Sequence, residues 1–283
     1  MNLHDGHDDV GDEPLWPTTP PDFDFMDVVR IAIEASSQAK KDALRFLSLG
    51  GDQPRERTGM RWNPSSLEGC TRKAIYKATK CPMDPDFKVP LAQQLVFDRG
   101  TVMGAWMAAY LRAAEGHEGI TDVRCVAHDR SELLARDEEL SFGGFLDVYF
   151  RRYGRPYVAE VKSKDNDGAM DKITAPDRLQ LKQFNDYMGL TGVHSGWIIY
   201  VGLSEVGGKQ TLRPIEFKHT FSPEMWEASR KQIRTLEMLR RAPARLGPKS
   251  SKPFFECPSC PWRKSCESGL PPSTLLARAG EAT

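Results

Sequence analysis

The stretch Gly143 to Lys164, GGFLDVYFRRYGRPYVAEVKSK, holds the residues whose types and spacing could do chemistry. Gly154 can take a positive φ and Pro156 biases Arg155 toward an extended backbone, so the stretch reads as two strands joined by a turn at Tyr153, Gly154 and Arg155. Alternation along the second strand sends Glu160 and Lys162 to one face and Ala159 and Val161 to the other. Asp147, between Leu146 and Val148 on the first strand, completes an acid–acid–lysine set. Two carboxylates suit Mg²⁺ or Mn²⁺, and a divalent ion so held polarises a phosphate and lowers the pKa of a bound water. A lysine beside them offsets charge on the phosphorus centre, so the chemistry indicated is phosphodiester hydrolysis. A hairpin with a solvated Glu and Lys is the competing reading. Against it, Glu160 sits in an apolar run (Tyr157, Val158, Ala159, Val161), a costly place for an unused charge.

The elements around this hairpin follow from periodicity. A helix is expected over Phe25 to Leu49, another over Trp62 to Lys80 with a Ser65/Glu68 capping box, and a longer one over Leu91 to Glu115 facing inward through Leu95, Val96, Val102, Trp106, Ala109 and Tyr110. Val123 to His128 reads as a strand, Leu140 to Phe150 and Tyr157 to Lys164 as the hairpin, and Asp165 to Ile173 as a polar loop. A helix over Pro176 to Met188 carries Gln180, Gln183 and Tyr187 on one side, a polar stripe suited to a phosphate backbone or to steadying metal ligands. Gly196 to Val201 is an apolar inner strand, and Pro214 marks Leu212 to Phe221 as an edge strand or a strand end. Ser222 and Pro223 open a last long helix ending near Leu239.

Cysteine spacing supplies a second constellation. Cys257, Cys260 and Cys266 form C-x₂-C-x₅-C in a proline-rich segment. Three thiolates are one short of the usual four. Cys70, read as an inward residue near the start of its helix, is a candidate for the fourth, with Cys81 as rival. Zinc and an iron–sulfur cluster both suit the set, and one close trio with a distant single Cys leans toward 4Fe-4S.

The chain has 283 residues, 40% hydrophobic and 28% charged, with 39 Lys+Arg against 39 Asp+Glu. That balance removes any global basic signal for nucleic acid, although a local patch can persist. No run approaches a membrane span and no basic-then-apolar leader opens the sequence, so a cytoplasmic protein is expected. Residues 1–22 read as a disordered acidic tail, 23–120 as a helical region with the first cysteine, 121–221 as the core, 222–270 as a helix with the cysteine segment, and 271–283 as a tail.

GGFLD ending at Asp147, EVK over Glu160 to Lys162, QFNDY over Gln183 to Tyr187, and one early Cys with a late C-x₂-C-x₅-C together resemble the RecB-type nucleases of the PD-(D/E)XK superfamily. The nearest branch is the iron–sulfur exonucleases related to the CRISPR-associated exonuclease family (Cas four) and to the nuclease of the AddAB helicase–nuclease, including phage-encoded versions. The resemblance spans about residues 62 to 267. It implies an α/β, restriction-endonuclease-like mixed sheet flanked by helices, with a cysteine-ligated cluster lobe joining the N- and C-terminal parts. It implies Asp147 and Glu160 as ligands of Mg²⁺ or Mn²⁺, Lys162 as the catalytic lysine, Gln183 and Tyr187 as supports of the site, and Cys70, Cys257, Cys260 and Cys266 as ligands of a structural iron–sulfur (4Fe-4S) cluster. The implied activity is exonucleolytic cleavage of DNA, single-stranded ends foremost, with a recombination or helicase partner and an oligomer as further expectations, in the host bacterial cytoplasm for a phage-encoded version. Tyr76 and Trp262 are candidates for stacking bases, with core packing as their other reading. One departure stands out: the family's metal-binding His four residues after a Gly is Gly104 here, after Gly100. His117 and His128 are candidate substitutes. Without them the alternative is a DNA-binding or accessory protein of the same fold with weak or lost cleavage.

Overall fold

The computed structural model describes residues 21–35, 59–67, 69–125, 133–164, 167–206, 209–242, 257–269 and 274. The acidic segment before residue 21, the second half of the first expected helix, Glu68 and His128 lie outside the described residues. The elements are α1 (Phe25–Ala35), α2 (Pro64–Leu67), α3 (Thr71–Ala78), α4 (Leu91–Ala113), β1 (Ile120–Cys125), β2 (Leu134–Asp137), β3 (Phe142–Phe145), β4 (Val148–Arg152), β5 (Arg155–Ser163), α5 (Asp167–Met170), α6 (Arg178–Thr191), β6 (Ser195–Val206), β7 (Lys209–Thr220), α7 (Pro223–Arg241) and α8 (Arg263–Glu267).

Five strands form one mixed sheet in the order β1-β4-β5-β6-β7. Among the described strands only β5 and β6 pair in parallel, and the crossover between them carries α5 and α6. The period-2 pattern of β5 sorts its side chains as expected. Tyr157, Ala159 and Val161 join α1, α4 and the aromatic side chains Phe25, Phe150 and Trp197 on one face. Val158 joins Phe184 and Met188 of α6 and Ile233 and Leu236 of α7 on the other. Each such fully buried large side chain contributes on the order of 1.5–3 kcal/mol relative to exposure, so the two faces together hold the strand that carries Glu160 and Lys162. The result is the expected α/β fold, a mixed sheet flanked by helices. Among the described residues no helix is long and apolar enough to cross a membrane.

Several expectations need correcting. The strand expected over Leu140 to Phe150 is two strands, because the chain leaves the small β2–β3 sheet at Phe145 and enters the large sheet at Val148. Asp147 therefore sits at the joint. The helix expected over Trp62 to Lys80 is broken at Gly69–Cys70: Ser65 lies inside α2, where its hydroxyl bonds Asn63 Oδ1, and Cys70 stands at the N-cap position of α3. Thr71, the first residue of α3, is exposed. In α4 the expected inward residues Leu95, Val96 and Val102 are exposed, and Met107, Ala108 and Leu111 of its second half make the core contact. The expected polar loop after β5 includes α5, whose Met170 is fully buried.

Candidate active site

β4 and β5 turn through Tyr153 (φ 49°) and Gly154 (φ 79°). Two consecutive positive φ values are the signature of a type I′ hairpin turn, whose twist matches the flanking strands. Val148 pairs with Ala159 in this hairpin, and extending the register by one residue sets Asp147 opposite Glu160. The Val161 backbone N–H donates to Asp147 Oδ2 at 3.0 Å, which fixes the acid against β5.

On the α6 face, Lys162 Nζ donates to Glu160 Oε1 at 2.6 Å. Gln183 Nε2 donates to the same oxygen at 2.9 Å, and Lys162 Nζ approaches Gln183 Oε1 at 3.4 Å. Both bonds to Glu160 use Oε1, so neither occupies its second oxygen. The structure thus brings Glu160, Lys162 and Gln183 into direct contact, with Asp147 beside them. Tyr187, one turn beyond Gln183, is buried against β3, where its hydroxyl lies 2.9 Å from the position of a Cβ on Gly144.

α6 reaches this place through its own ends. Asp177 caps it by accepting from Leu179 N and Gln180 N, and Gly192 closes it in the left-handed conformation. Tyr200 of β6 donates to Gln180 Oε1 at 2.6 Å and accepts from Asp177 N at 2.9 Å. Tyr200 was not among the sequence candidates; an aromatic hydroxyl in an otherwise apolar strand was the available signal.

Electrostatics follow from burial. Glu160 is buried, and burial together with the neighbouring Asp147 carboxylate pushes its carboxyl up to about 7, against the pull of Lys162. Burial alone would lower the Lys162 ammonium, yet Glu160 and Asp147 outweigh it and hold the ammonium above the usual lysine value. A buried acid and the neighbouring carboxylate that opposes its ionisation form a donor set that a divalent cation relieves, so the residues fit Mg²⁺ or Mn²⁺. Among the described residues no three His, Cys, Asp or Glu side chains converge closely enough to hold an ion by themselves.

His117 is not at this site. Its loop joins α4 to β1, where Gly119 O accepts from Tyr153 N at the tip of the hairpin. The tip is at the start of β5 and Glu160 lies five residues along it, roughly 17 Å away. Gly104 of α4 has open space beside it: a Cβ there would meet nothing within 4 Å.

Cys70, Cys257, Cys260 and Cys266 line one small cavity with Arg72, Lys73, Tyr76, Arg263 and Glu267. None of the six cysteines is in a disulfide. The four thiols share a cavity without being drawn together, and burial pushes the Cys260 thiol up, with Cys70 and Cys266 adding to the shift. Four soft donors ringed by three cations suit a thiolate-bound metal or cluster, whose negative charge the cations would offset. Cys81 is buried below, where its carbonyl accepts from Trp262 Nε1 at 3.1 Å. Trp262 and Tyr76 are buried and stacked on each other, 6.0 Å between centroids, so the described contact is packing.

Asp84 was also missed by sequence reasoning. Its carboxylate accepts from Lys264 N (2.7 Å), Ser265 N (3.3 Å) and Ser265 Oγ (2.6 Å), capping α8 from a loop some 180 residues away. A carboxylate in the loop between α3 and α4 carries no local signal for this role.

No protein-family model matches the chain, and no curated protein matches it. Among solved structures it is similar to SSO0001 (16% identity, TM-score 0.43), covering 82% of this chain and 95% of that one. It is similar to an alkaline exonuclease (LHK-Exo) from Laribacter hongkongensis (14% identity, TM-score 0.42; 67% of this chain, 96% of that one) and to LHK-Exo in complex with dAMP (17% identity, TM-score 0.39; 68% and 96%).

Proposed function

We propose that this chain is a metal-dependent deoxyribonuclease, an exonuclease acting on single-stranded DNA ends, with Asp147 and Glu160 as metal ligands and Lys162 as the catalytic lysine. The observation that carries the reading is the contact set of Glu160, Lys162 and Gln183 beside Asp147, at the joint of β3 and β4 and under α6. A divalent ion held by the two acids supplies charge for the phosphate and an acidified water. The chain's own residues do the rest. Lys162 offsets charge gathering on the phosphorus centre. Gln183 holds Glu160 Oε1 and orients the ammonium. Tyr187 fixes the distance between α6 and β3.

As a further part of the proposal, Cys70, Cys257, Cys260 and Cys266 hold a structural 4Fe-4S cluster that ties the residue 23–120 region to the 222–270 segment, and the iron–sulfur RecB-type branch describes the whole. The open space at Gly104 favours a second reading, a DNA-binding protein with weak cleavage. End-labelled single-stranded DNA, incubated with Mn²⁺ or with EDTA, decides between them. Cleavage that needs Mn²⁺ and disappears in Lys162→Ala supports the nuclease. Binding without cleavage across Mg²⁺, Mn²⁺ and Co²⁺ selects the second reading. Anaerobic purification followed by a visible spectrum and iron and zinc analysis tests the cluster, and stoichiometric zinc without iron would overturn it.

A further inference from the structure

The hairpin tip carries features that the catalytic site does not use. Its sequence, Arg151-Arg152-Tyr153-Gly154-Arg155, puts three cations and an aromatic at one turn. Tyr153 takes φ 49°, a conformation that type I′ turns normally give to Asn, Asp or Gly. A large aromatic there carries backbone strain of order 1 kcal/mol or more, and such strain collects at functional sites. Tyr153 is also 72% exposed, the wrong place for a core residue. Its ring is nevertheless seated. Gly119 leaves the room it needs, since a Cβ on Gly119 would stand 2.4 Å from the ring, and the Arg152 guanidinium lies 5.6 Å from its centre.

Beside the ring opens a cavity of about 440 Å³ lined by Asp22, Phe23, Arg152, Tyr153, Arg155 and Tyr157. Arg152 is largely buried, stacked 4.3 Å over Phe23 and paired with Glu118 at 3.0 Å, and its Nε has no hydrogen-bond partner among the described residues. Arg151 faces Asp122. Asp22 shares the cavity, so the acids of this region nearly balance its arginines, and stacking has to outweigh charge.

We propose that this tip is a second contact for a single-stranded nucleic acid, with a base stacked on Tyr153 and its phosphate held by Arg155 at the mouth of the cavity. The proposal rests on the reading of the chain as a DNA-acting protein. The tip lies roughly 17 Å from Glu160 along β5, and its cavity, lined by Phe23 and Tyr157, is on the α1–α4 face of the sheet, opposite to Glu160, so a strand joining the two must pass round the sheet and spans more than about five nucleotides at the 3.4 Å spacing of a stacked strand. It would therefore hold a strand beyond the nucleotides at the scissile bond. Base–aromatic stacking tolerates any sequence, which suits an enzyme that cuts without sequence preference.

The test is fluorescence anisotropy with a labelled 20-nucleotide single strand in EDTA, with the full-length protein, so that cleavage plays no part. Tyr153→Asn is the informative variant, because Asn suits the positive φ. It should weaken binding about five- to tenfold while leaving the melting temperature equal or higher. Asp22→Asn should tighten binding. Unchanged affinity in Tyr153→Asn overturns the proposal, as does a wild type that does not bind. Should Tyr153→Asn lower the melting temperature, Arg155→Gln decides by the same measurement, a loss of affinity supporting the site and none ending it. A wild type that binds through the tip and never cleaves retires the nuclease reading alone.

Discussion

The Tyr187 hydroxyl occupies the space that any side chain on Gly144 would enter, 2.9 Å from a Cβ built there. A methyl at Gly144 must push Tyr187, and with it α6, away from β3. Gly144→Ala should cost about 1–3 kcal/mol through overpacking and lower cleavage more than tenfold by displacing Gln183. In a Tyr187→Phe background the same substitution should cost less, because the hydroxyl that it meets is gone. A double-mutant cycle on melting temperature and rate measures the coupling, and simple additivity would mean that the two residues do not touch.

Asp147 raises Glu160 as well as serving beside it. Asp147→Asn keeps an oxygen for the Val161 N–H and removes the opposing charge, so the Glu160 carboxyl should drop from about 7 toward the usual range. Stability at pH 7.5 should hold or rise, while metal-dependent cleavage falls by several kcal/mol of transition-state stabilisation, roughly a hundredfold or more. Carbon-detected titration of the Glu160 side chain and a rate assay report the two effects separately.

A raised Glu160 also makes metal binding a proton exchange. On the proposed function the ion binds the ionised acid, so below about pH 7 it must displace a proton and affinity should fall about tenfold per pH unit, levelling off above that value. Stability of the metal-free protein runs the other way. The folded state binds the Glu160 proton more tightly than the unfolded chain, so this contribution is lost as pH rises from about 4.5 to about 7. Calorimetric titration of Mn²⁺ at pH 6, 7 and 8 checks the first effect. A binding constant indifferent to pH would remove Glu160 from the ligand set.

Asp84 holds three donors of the α8 segment, and Asp84→Ala orphans all of them. The loss should be local, about 1–2 kcal/mol as for other helix caps. Hydrogen exchange should speed up over 257–269 and stay slow in β5 and β6. Iron or zinc content after purification should fall in the same variant. Lys264 also pairs with Asp86 on the same loop, and protection unchanged across 257–269 would show that Trp262 and this ion pair suffice.

Much of this was legible in the sequence where the cause is local. Alternation from Tyr157 to Lys162 placed Glu160 and Lys162 together because a strand has period two. Ser222 and Pro223 announced α7, and the Ser222 hydroxyl does accept from Met225 N. Gly154 marked the turn. What escaped depends on distance along the chain. Leu140 to Phe150 reads as one strand because apolar residues recur along its whole length on both sides of Asp147, and only pairing with two different sheets divides it at Leu146–Asp147. The exposed Leu95, Val96 and Val102 read as core because helical periodicity says nothing about where a sheet ends. Tyr200's bond to Gln180 and Asp84's bonds to Ser265 join residues that no local pattern links.

The reach of Asp84 across some 180 residues also orders events during synthesis. Every strand of the large sheet has been translated by Thr220, whereas α8 emerges some tens of residues later. At about 5–20 residues per second, the sheet has a lead of several seconds in which to form. The thiols therefore meet last, around a body already built, and a nascent chain stalled before residue 257 should resist protease over β5 and β6 while its early cysteine still reacts with alkylating reagent.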